Sequence, residues 1–485
     1  MAAPVERVAR ACSELEKLLG EDSGNGEVGL EGEVIIRRLT DMFREETYRE
    51  LAEERIFRLI LQTLSRVSRE IKAVSSPAGA FTESRCQFSA ECFRCLRNAC
   101  VQCVRNQDNV RNVGLIEESV RFIRIFSDPR VLQEPALVAF RCGLQFLGNA
   151  AAGNRDSQNA IWACAFPDIF SNCLMHNDEK VVIYSSMVLF TCISRENRSA
   201  LQDPSNIAVA LNVITAYRKY PDAEWIYLIV VEHLLLCPDL VESMYLSQSS
   251  QDRVSLLELI LAKISQKDPH PDEDAEKLQV IATFLSNCFQ TQCKTILKLT
   301  SPSACDEQET FVVIRLLDIL CEMTSKNEYL SCLQTCPGLL ESTVDILRLT
   351  HLAGKQSKNV FTATHTMSMG QDLTHAAVGF KAHLIRLIGN LCYQDKENQD
   401  KVHQLDGIAL ILDNCSIDDN NPFLNQWAVF TIRNLTENND QNQELIASME
   451  RQGLADSSLL KSMGLQAEER DGKLLLKSLK KSPAL

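Results

Sequence analysis

The chain contains the same short sequence twice near its C-terminus. The first copy reads HLIRLIGNLCYQDKENQDKV and the second reads FTIRNLTENNDQNQELI, with an Asn-Leu pair in each. The two asparagines, Asn390 and Asn434, lie 44 residues apart. A period in the low forties is typical of armadillo and HEAT helical repeats, in which each unit buries its apolar face against its neighbours.

The same pattern recurs upstream, in CFRCLRNACVQCVRNQDNV and FRCGLQFLGNAAAGNRDSQNAI. These copies place Asn98 and Asn149 at the position of Asn390 and Asn434, and a Gln lies nine residues beyond each of the four. Weaker units begin near Ile183, Leu228, Leu278 and Phe311. We therefore predict an all-α fold, an armadillo/HEAT-like right-handed α-solenoid of about eight helical repeats.

Shifts in composition divide the chain into six segments. We predict a flexible acidic Gly-rich tail over 1–32, containing at most a frayed helix from Val5 to Leu19, and N-terminal capping helices over 33–80. Armadillo-like repeats follow over 81–352 and 380–465, separated by a flexible insertion at 353–379 that is longer than a turn between helices requires. A short helix at Ser457 to Met463 closes the array, and 466–485 form a basic mobile tail.

Charge and hydropathy exclude several classes of partner. The formal net charge of −14 argues against nucleic acid and anionic membranes, which are bound mainly through Lys and Arg. No run approaches the ~20 apolar residues that a membrane helix needs, and the N-terminus lacks the pattern of a cleaved signal. We expect a cytosolic protein without membrane insertion, whose 19 cysteines are reduced and mostly buried in helices.

Two cysteine patterns suggest chemistry. Cys92, Cys95, Cys100 and Cys103 have the spacing C-x2-C-x4-C-x2-C, which resembles a zinc site. All four lie in one predicted helix, where the outer two are about 16 Å apart along the axis, too far to share one tetrahedral ion. Cys192 and Arg198 match the C-x5-R spacing of cysteine phosphatases but lack a glycine-rich phosphate loop. We expect no metal, no cofactor and no catalytic residue.

The repeated asparagines are the candidate binding residues. An Asn side chain both donates and accepts, so it can bond an extended peptide backbone in both directions. Repeated once per unit, Asn98, Asn149, Asn390 and Asn434 could form a peptide groove. The alternative, that each Asn closes its own helix end or bonds the next turn, remains open. For the Gln of each Asn-Gln pair we favour a structural role.

Five segments carry a family resemblance. ECFRCLRNAC, AFRCGLQFLGN, IRLLDILCEMT, HLIRLIGNLCY and IRNLTENNDQNQELI, in this order, resemble the vertebrate members of the ataxin-10 family, over roughly Phe88 to Lys461. The resemblance implies an armadillo-type protein without catalytic activity, located in the cytoplasm, around the nucleus, at the centrosome or ciliary basal body and at the midbody. It also implies roles in neuron survival, neurite outgrowth through Ras–MAP kinase signalling and cytokinesis. Self-association and binding to a G-protein beta subunit and to the O-linked N-acetylglucosamine transferase are further implications.

We predict a non-enzymatic scaffold for protein–protein interactions, which forms homo-oligomers. One alternative is an importin-like receptor that binds extended basic peptides through the repeat asparagines. Another is an enzyme that uses Cys192 or the cysteines from Cys92 to Cys103.

Overall fold

Apart from one C-terminal hairpin, the regular structure of the described residues is helical. The computed structural model describes residues 4–21, 30–73, 83–127, 134–266, 272–300, 307–356, 360–361, 375–415, 418, 420–449, 465–470 and 473–478. They belong to two compact units, Met1–Ser247 and Gln248–Leu485. Each unit is described by itself.

In the first unit the described residues form fourteen α-helices, a 3-10 turn at Arg198–Leu201 and a π-helical turn at Val230–Leu234. The α-helices are α1 (Pro4–Glu21), α2 (Leu30–Met42), α3 (Glu46–Glu50), α4 (Glu54–Ala73), α5 (Glu83–Ala99), α6 (Val104–Asn112), α7 (Leu115–Phe126), α8 (Glu134–Ala151), α9 (Arg155–Ala165), α10 (Asp168–Leu174), α11 (Glu179–Cys192), α12 (Ile207–Lys219), α13 (Glu224–Ile229) and α14 (Pro238–Ser247).

In the second unit the described residues form ten further α-helices, a 3-10 helix at Cys293–Thr300 and two strands. The elements are α15 (Ser250–Ile264), α16 (Asp272–Gln292), α17 (Glu307–Thr324), α18 (Asn327–Gln334), α19 (Leu339–Gln356), α20 (Phe380–Leu391), α21 (Lys396–Gln404), α22 (Gly407–Asp413), α23 (Leu424–Thr436), α24 (Asp440–Ser448), β1 (Leu465–Arg470) and β2 (Lys473–Ser478).

Apolar periodicity explains why these segments are helical. In α4, for example, Ile56, Phe57, Ile60, Leu64 and Val67 are all buried. Their spacing places them on one side of a helix with 3.6 residues per turn, so burial of one face stabilises the whole element. Within the described ranges, no helix combines the length and the apolar character that crossing a bilayer requires.

One helix of each repeat packs against its counterpart in the next repeat. We call these the row helices: α2, α5, α8, α11 and α13 in the first unit, and α15, α17, α20 and α23 in the second. The remaining helices pack behind them, as α7 does on α8 and α22 does on α23. The predicted all-α repeat solenoid is confirmed.

Three of the four weak units begin in row helices, and the fourth begins in a supporting helix. Ile183, Leu228 and Phe311 lie in the row helices α11, α13 and α17. Leu278 lies in α16, which packs against α17, α18 and α19, whereas α15 contacts α17 directly. The apolar run at Leu278 therefore marks a long supporting helix rather than another row helix. Apolar periodicity shows which residues are buried, but it does not show which helix they pack against.

The N-terminal segment differs from the predicted flexible tail. Residues 1–32 include α1 and the start of α2, and Leu15 of α1 is fully buried. Three helices, α2 to α4, occupy the range predicted for the capping helices, 33–80.

Part of the predicted insertion at 353–379 is also ordered, because α19 continues to Gln356 and residues 375–379 precede α20. Residues 360–361 are described as well, whereas the remaining insertion residues and the predicted helix at Ser457 to Met463 lie outside the described residues.

The C-terminal strands also differ from the basic mobile tail predicted for 466–485. β1 and β2 pair in antiparallel register, from Leu465 opposite Ser478 to Arg470 opposite Lys473. The sequence between the strands is Asp471-Gly472, and Asp-Gly between two short runs is a strong signal for a tight hairpin. The lysines around it favoured a solvated tail and concealed that signal.

Close packing between row helices explains one glycine. A Cβ atom on Gly389 of α20 would overlap with Thr431 Oγ1 of α23. Thr431 cannot move away easily, because its hydroxyl donates to Ile385 O at 2.8 Å. Glycine is therefore required at position 389 by the approach of the next repeat.

We expect Gly389→Ala to lower the free energy of unfolding by about 1–3 kcal/mol, the usual cost of overpacking a fixed contact. Urea denaturation of the full chain measures this. Gly148→Ala in α8 is the matched control, because the added Cβ meets only the flexible end of Met187. Equal costs at both positions would contradict the role assigned to Thr431.

Candidate functional site

The four predicted groove asparagines each lie near the C-terminal end of a row helix: α5, α8, α20 and α23. In every case the side-chain amide donates to the last turn of the preceding row helix of the same unit. The acceptors are Thr40 O for Asn98 at 3.0 Å, Arg97 O for Asn149 at 3.0 Å, Thr324 Oγ1 for Asn390 at 3.0 Å and Gly389 O for Asn434 at 2.9 Å.

These bonds give each asparagine a packing role. The exposed fraction is 7% for Asn390 and 2% for Asn434, while Asn98 and Asn149 are partly buried. Because each amide nitrogen already donates to the neighbouring helix, less of its hydrogen-bonding capacity is available to a peptide. The peptide groove formed by these residues stays a prediction. The alternative, that each Asn closes its own helix end or bonds the next turn, also stays open, because the bonds observed here run to the preceding row helix.

A sharp turn follows each of these asparagines. We call the ten residues from the Asn to the Gln nine positions later the repeat corner: 98–107, 149–158, 390–399 and 434–443. The fifth residue of every corner has a left-handed backbone. These residues are Gln102, Gly153, Gln394 and Asn438, with φ of 50°, 71°, 53° and 54°. Only one of the four is glycine, the residue that adopts this conformation without a steric cost.

The sixth residue of three corners caps the next helix. Asn154, Asp395 and Asn439 each accept a hydrogen bond from the backbone N–H three residues further on, at 3.0, 2.9 and 3.2 Å. This N-cap satisfies a backbone donor that would otherwise lack a partner. The chain therefore turns and restarts as a helix at the same position of each of these repeats.

The Asn-Gln pair closes the corner. Asn106, Asn398 and Asn442 donate back to the carbonyl oxygen seven residues earlier, at 2.9, 3.0 and 2.8 Å. These acceptors lie at the end of the row helix in which the same corner begins, where carbonyl groups have no partner within the helix. The pair thus holds the turn in place.

The Gln also reaches the following repeat. Gln107 Nε2 donates to Asn149 O at 2.9 Å and to Ala152 O at 3.0 Å, at the end of α8. In the second unit, Gln399 Nε2 donates to Asn434 O at 2.9 Å, at the end of α23. One side chain therefore caps the next row helix of its unit, which is the structural role favoured for this residue.

The prediction that all four cysteines of the C-x2-C-x4-C-x2-C pattern lie in one helix was wrong, because α5 ends at Ala99, before Cys100 and Cys103. Three of the four are packed as core. Cys92, Cys95 and Cys100 are fully buried, and burial raises the pKa of all three thiols. Over the described residues, His, Cys, Asp and Glu form no group that could hold a metal ion. Cys192 is also buried, and burial raises the pKa of its thiol to about 12. A thiol with such a pKa is a poor nucleophile near neutral pH.

A buried polar cluster at the start of α20 was not anticipated. Lys381 Nζ lies 3.1 Å from Asp418 Oδ2, and both side chains are buried. Burial lowers the pKa of Lys381, while Asp418 opposes that shift. Asn421 Nδ2 donates to Asp418 Oδ2 at 2.9 Å and to Phe361 O at 2.7 Å. The cluster thus joins residue 361, inside the predicted insertion, to the beginning of α20, which follows it.

Row helices joined by repeat corners define an armadillo-type helical-repeat protein. The family described as "Spinocerebellar ataxia type 10 protein domain" matches residues 380–477. The chain is 80% identical to ataxin-10 of Xenopus tropicalis over 485 residues, covering 100% of both chains. It is 48% identical to ataxin-10 of Homo sapiens over 450 residues, which is 92% of this chain and 94% of the human one. The chain belongs to the ataxin-10 family.

The left-handed corner residue should respond to substitution in opposite directions at two corners. We expect Gln394→Gly to raise the free energy of unfolding by about 0.5–1 kcal/mol, because the Cβ atom no longer strains the turn. Gly153→Ala should lower it by about 1 kcal/mol. Thermal unfolding of both variants measures this. No other atom lies within 4 Å of the Cβ position at Gly153, so packing would not confuse the result.

The corner Gln should matter only where a following row helix is present. We expect Gln399→Ala to cost about 2–3 kcal/mol, because buried carbonyl groups at the end of α23 lose their donor. Gln443 is the matched control: it is exposed and its amide donates to Thr436 O of its own corner at 2.8 Å. Gln443→Ala should change the stability by less than about 0.5 kcal/mol in urea denaturation. A larger cost at Gln443 than at Gln399 would contradict the capping role.

Proposed function

We propose that this protein is a non-enzymatic scaffold that binds other proteins and associates with further copies of itself through the end of its last repeat. Membership of the ataxin-10 family and the helical-repeat fold support the scaffold role. The observation that carries the proposal is an exposed valine, Val429 of α23. Its side chain is 69% exposed.

The earlier repeats show what this position normally does. Phe93, Leu144 and Ile385 lie five residues before Asn98, Asn149 and Asn390, as Val429 lies five before Asn434. All three are buried in their row helices, each of which is followed by another row helix in the same unit. Val429 therefore presents to solvent a position that the other three corners bury.

Two polar side chains of the same repeat as Val429 also match positions that contact the following row helix. Arg433 corresponds to Arg97, whose Nη1 donates to Gln145 Oε1 of the following row helix at 2.7 Å. Gln443 corresponds to the corner Gln that caps a following helix. We call Val429, Arg433 and Gln443 the open repeat face. At the corner that follows α5, the corresponding apolar, guanidinium and amide groups all contact the next row helix, α8.

A second copy of this chain is the partner that fits this face. The first row helix, α2, is already packed against α1, so head-to-tail stacking of copies would require α1 to leave. Contact between two C-terminal ends requires no such change, and contact through like ends produces closed assemblies rather than open filaments. Phe423 adds apolar surface near this end, since it is 66% exposed and has a left-handed backbone with φ of 63°.

The wider roles belong to this proposal through the family resemblance alone. They comprise neuron survival and neurite outgrowth through Ras–MAP kinase signalling, cytokinesis, and functions at the centrosome or ciliary base. The proposed locations are the cytoplasm, the perinuclear region, the basal body and the midbody. The proposed partners are a G-protein beta subunit and the O-linked N-acetylglucosamine transferase. An assembly with several copies of each docking surface would hold such partners together with higher avidity than one chain.

We expect Val429→Asp to shift the assembly toward the monomer, because a buried unpaired carboxylate opposes contact between apolar faces. Light scattering across a concentration series measures the mass. Val280→Asp is the matched control, since Val280 is also largely exposed but lies on the supporting helix α16. Circular dichroism should show both variants folded. An unchanged mass for Val429→Asp, or an equal loss for Val280→Asp, would exclude the open repeat face as the contact.

A further inference from the structure

Helix α1 is held by a narrow apolar stripe. Among the α1 side chains that the structure describes, the buried apolar ones are Val8, Ala11, Cys12 and Leu15, at the spacing i, i+3, i+4 and i+7 of one helix face. The helix packs against α2, α3 and α4. Two of these four side chains are small, so this stripe buries a modest apolar area.

Polar contacts from α1 to α2, α3 and α4 surround this stripe. Glu14 of α1 pairs with Arg38 of α2, and Glu16 pairs with Arg55 of α4. The four charged side chains are between 38% and 50% exposed, so salt screens both pairs. Arg7 Nη1 also donates to Tyr48 Oη at 3.1 Å.

Helices α2 and α3, against which α1 packs, are held in position by hydrogen bonds from the next repeat and not by α1. Asn98 of α5 donates to Thr40 O of α2 at 3.0 Å, and Asn106 of α6 donates to Arg49 O of α3 at 2.8 Å. Arg49 Nη1 in turn donates to Phe43 O at 3.2 Å, between α2 and α3. These bonds remain if α1 leaves. The α1-binding surface, formed by α2, α3 and α4, is therefore preformed.

We propose that the α1-binding surface is a docking site for an amphipathic helix of another protein, with α1 as its tethered internal occupant. The partner helix would carry apolar side chains at the spacing of residues 8, 11, 12 and 15. It would carry carboxylates at the positions of Glu14 and Glu16, which meet Arg38 and Arg55. Recognition of an acidic, amphipathic helix follows from this charge and shape.

The connection of α1 to the chain allows the exchange. Residues 22–29 read DSGNGEVG and join α1 to α2. A segment of this length spans at most about 30 Å, so a released α1 stays near its site and competes at a high effective concentration. A partner helix must therefore bind more favourably than α1 does, which makes α1 an internal competitor that sets the threshold for binding.

Cys12 reports release of α1 in the full-length chain. Cys12 lies on the buried face of α1, and burial raises the pKa of its thiol. Alkylation therefore requires α1 to detach from α2, α3 and α4. Cys95 in the core of α5 is the internal reference. With iodoacetamide and mass spectrometry, we expect Cys12 to react about tenfold faster than Cys95, since local opening precedes global unfolding. Salt should increase the difference.

A synthetic peptide tests binding in trans. Its sequence is that of residues 4–21 with Cys12→Ala, and the control peptide carries Leu15→Asp in addition. We expect the first peptide to accelerate alkylation of Cys12 in the full chain in a saturable manner, because it occupies the site that α1 vacates. The control peptide should have no effect.

Reversal of charge tests the recognition of carboxylates. In the full chain with R38E and R55E, the peptide should lose most of its effect, and a peptide with E14R and E16R should restore it. Three results would overturn the proposal: alkylation of Cys12 no faster than that of Cys95, alkylation unaffected by the peptide, or an equal effect of the Leu15→Asp control. Failure of the charge reversal to alter the peptide effect would overturn the acidic character of the partner.

Discussion

The fold depends on hydrogen bonds that pass from the end of one row helix to the next. The last carbonyl groups of a helix have no partner within it, and burying them without a donor costs more than one ordinary hydrogen bond contributes. Asn149 supplies a donor to the helix before it, and Gln107 supplies donors to the helix after it. The same arrangement recurs with Asn434 and Gln399. Each such repeat therefore satisfies polar groups of its neighbours, which explains why a single unit is not a stable structure.

This dependence makes the ends of an array different from its interior. In the first unit, α1 packs against the row helix α2 through a narrow apolar stripe. In the second unit, the last described row helix, α23, exposes Val429 at a position that earlier repeats bury. A tethered helix thus covers α2, while α23 presents a surface suited to a further helix. Both proposals follow from this difference, one for a partner helix at α1 and one for a second copy at α23.

The repeat corners could be predicted only in part. The Asn and the Gln nine residues later were visible because they recur in all four copies. The left-handed residue between them was not, since Gln102 and Gln394 are residue types that seldom adopt this conformation. At both positions the Asn of the following Asn-Gln pair bonds back across the turn, and after Gln394 the N-cap Asp395 also holds the backbone. Similarly, the apolar stripe of α1 was present in the sequence, but the acidic, glycine-rich context favoured a tail.

The sequence by itself determined that the chain is a helical-repeat protein of the ataxin-10 type. It also determined where the corners lie and which Asn and Gln recur in them. These features are periodic and local, so one chain read in order reveals them. Only the tertiary structure decided that the corner asparagines bond neighbouring helices, that α16 supports the row instead of joining it and that α1 is docked. Those outcomes depend on contacts between residues far apart in the chain, such as Asn434 with Gly389, and no local pattern specifies which carbonyl a given amide will reach.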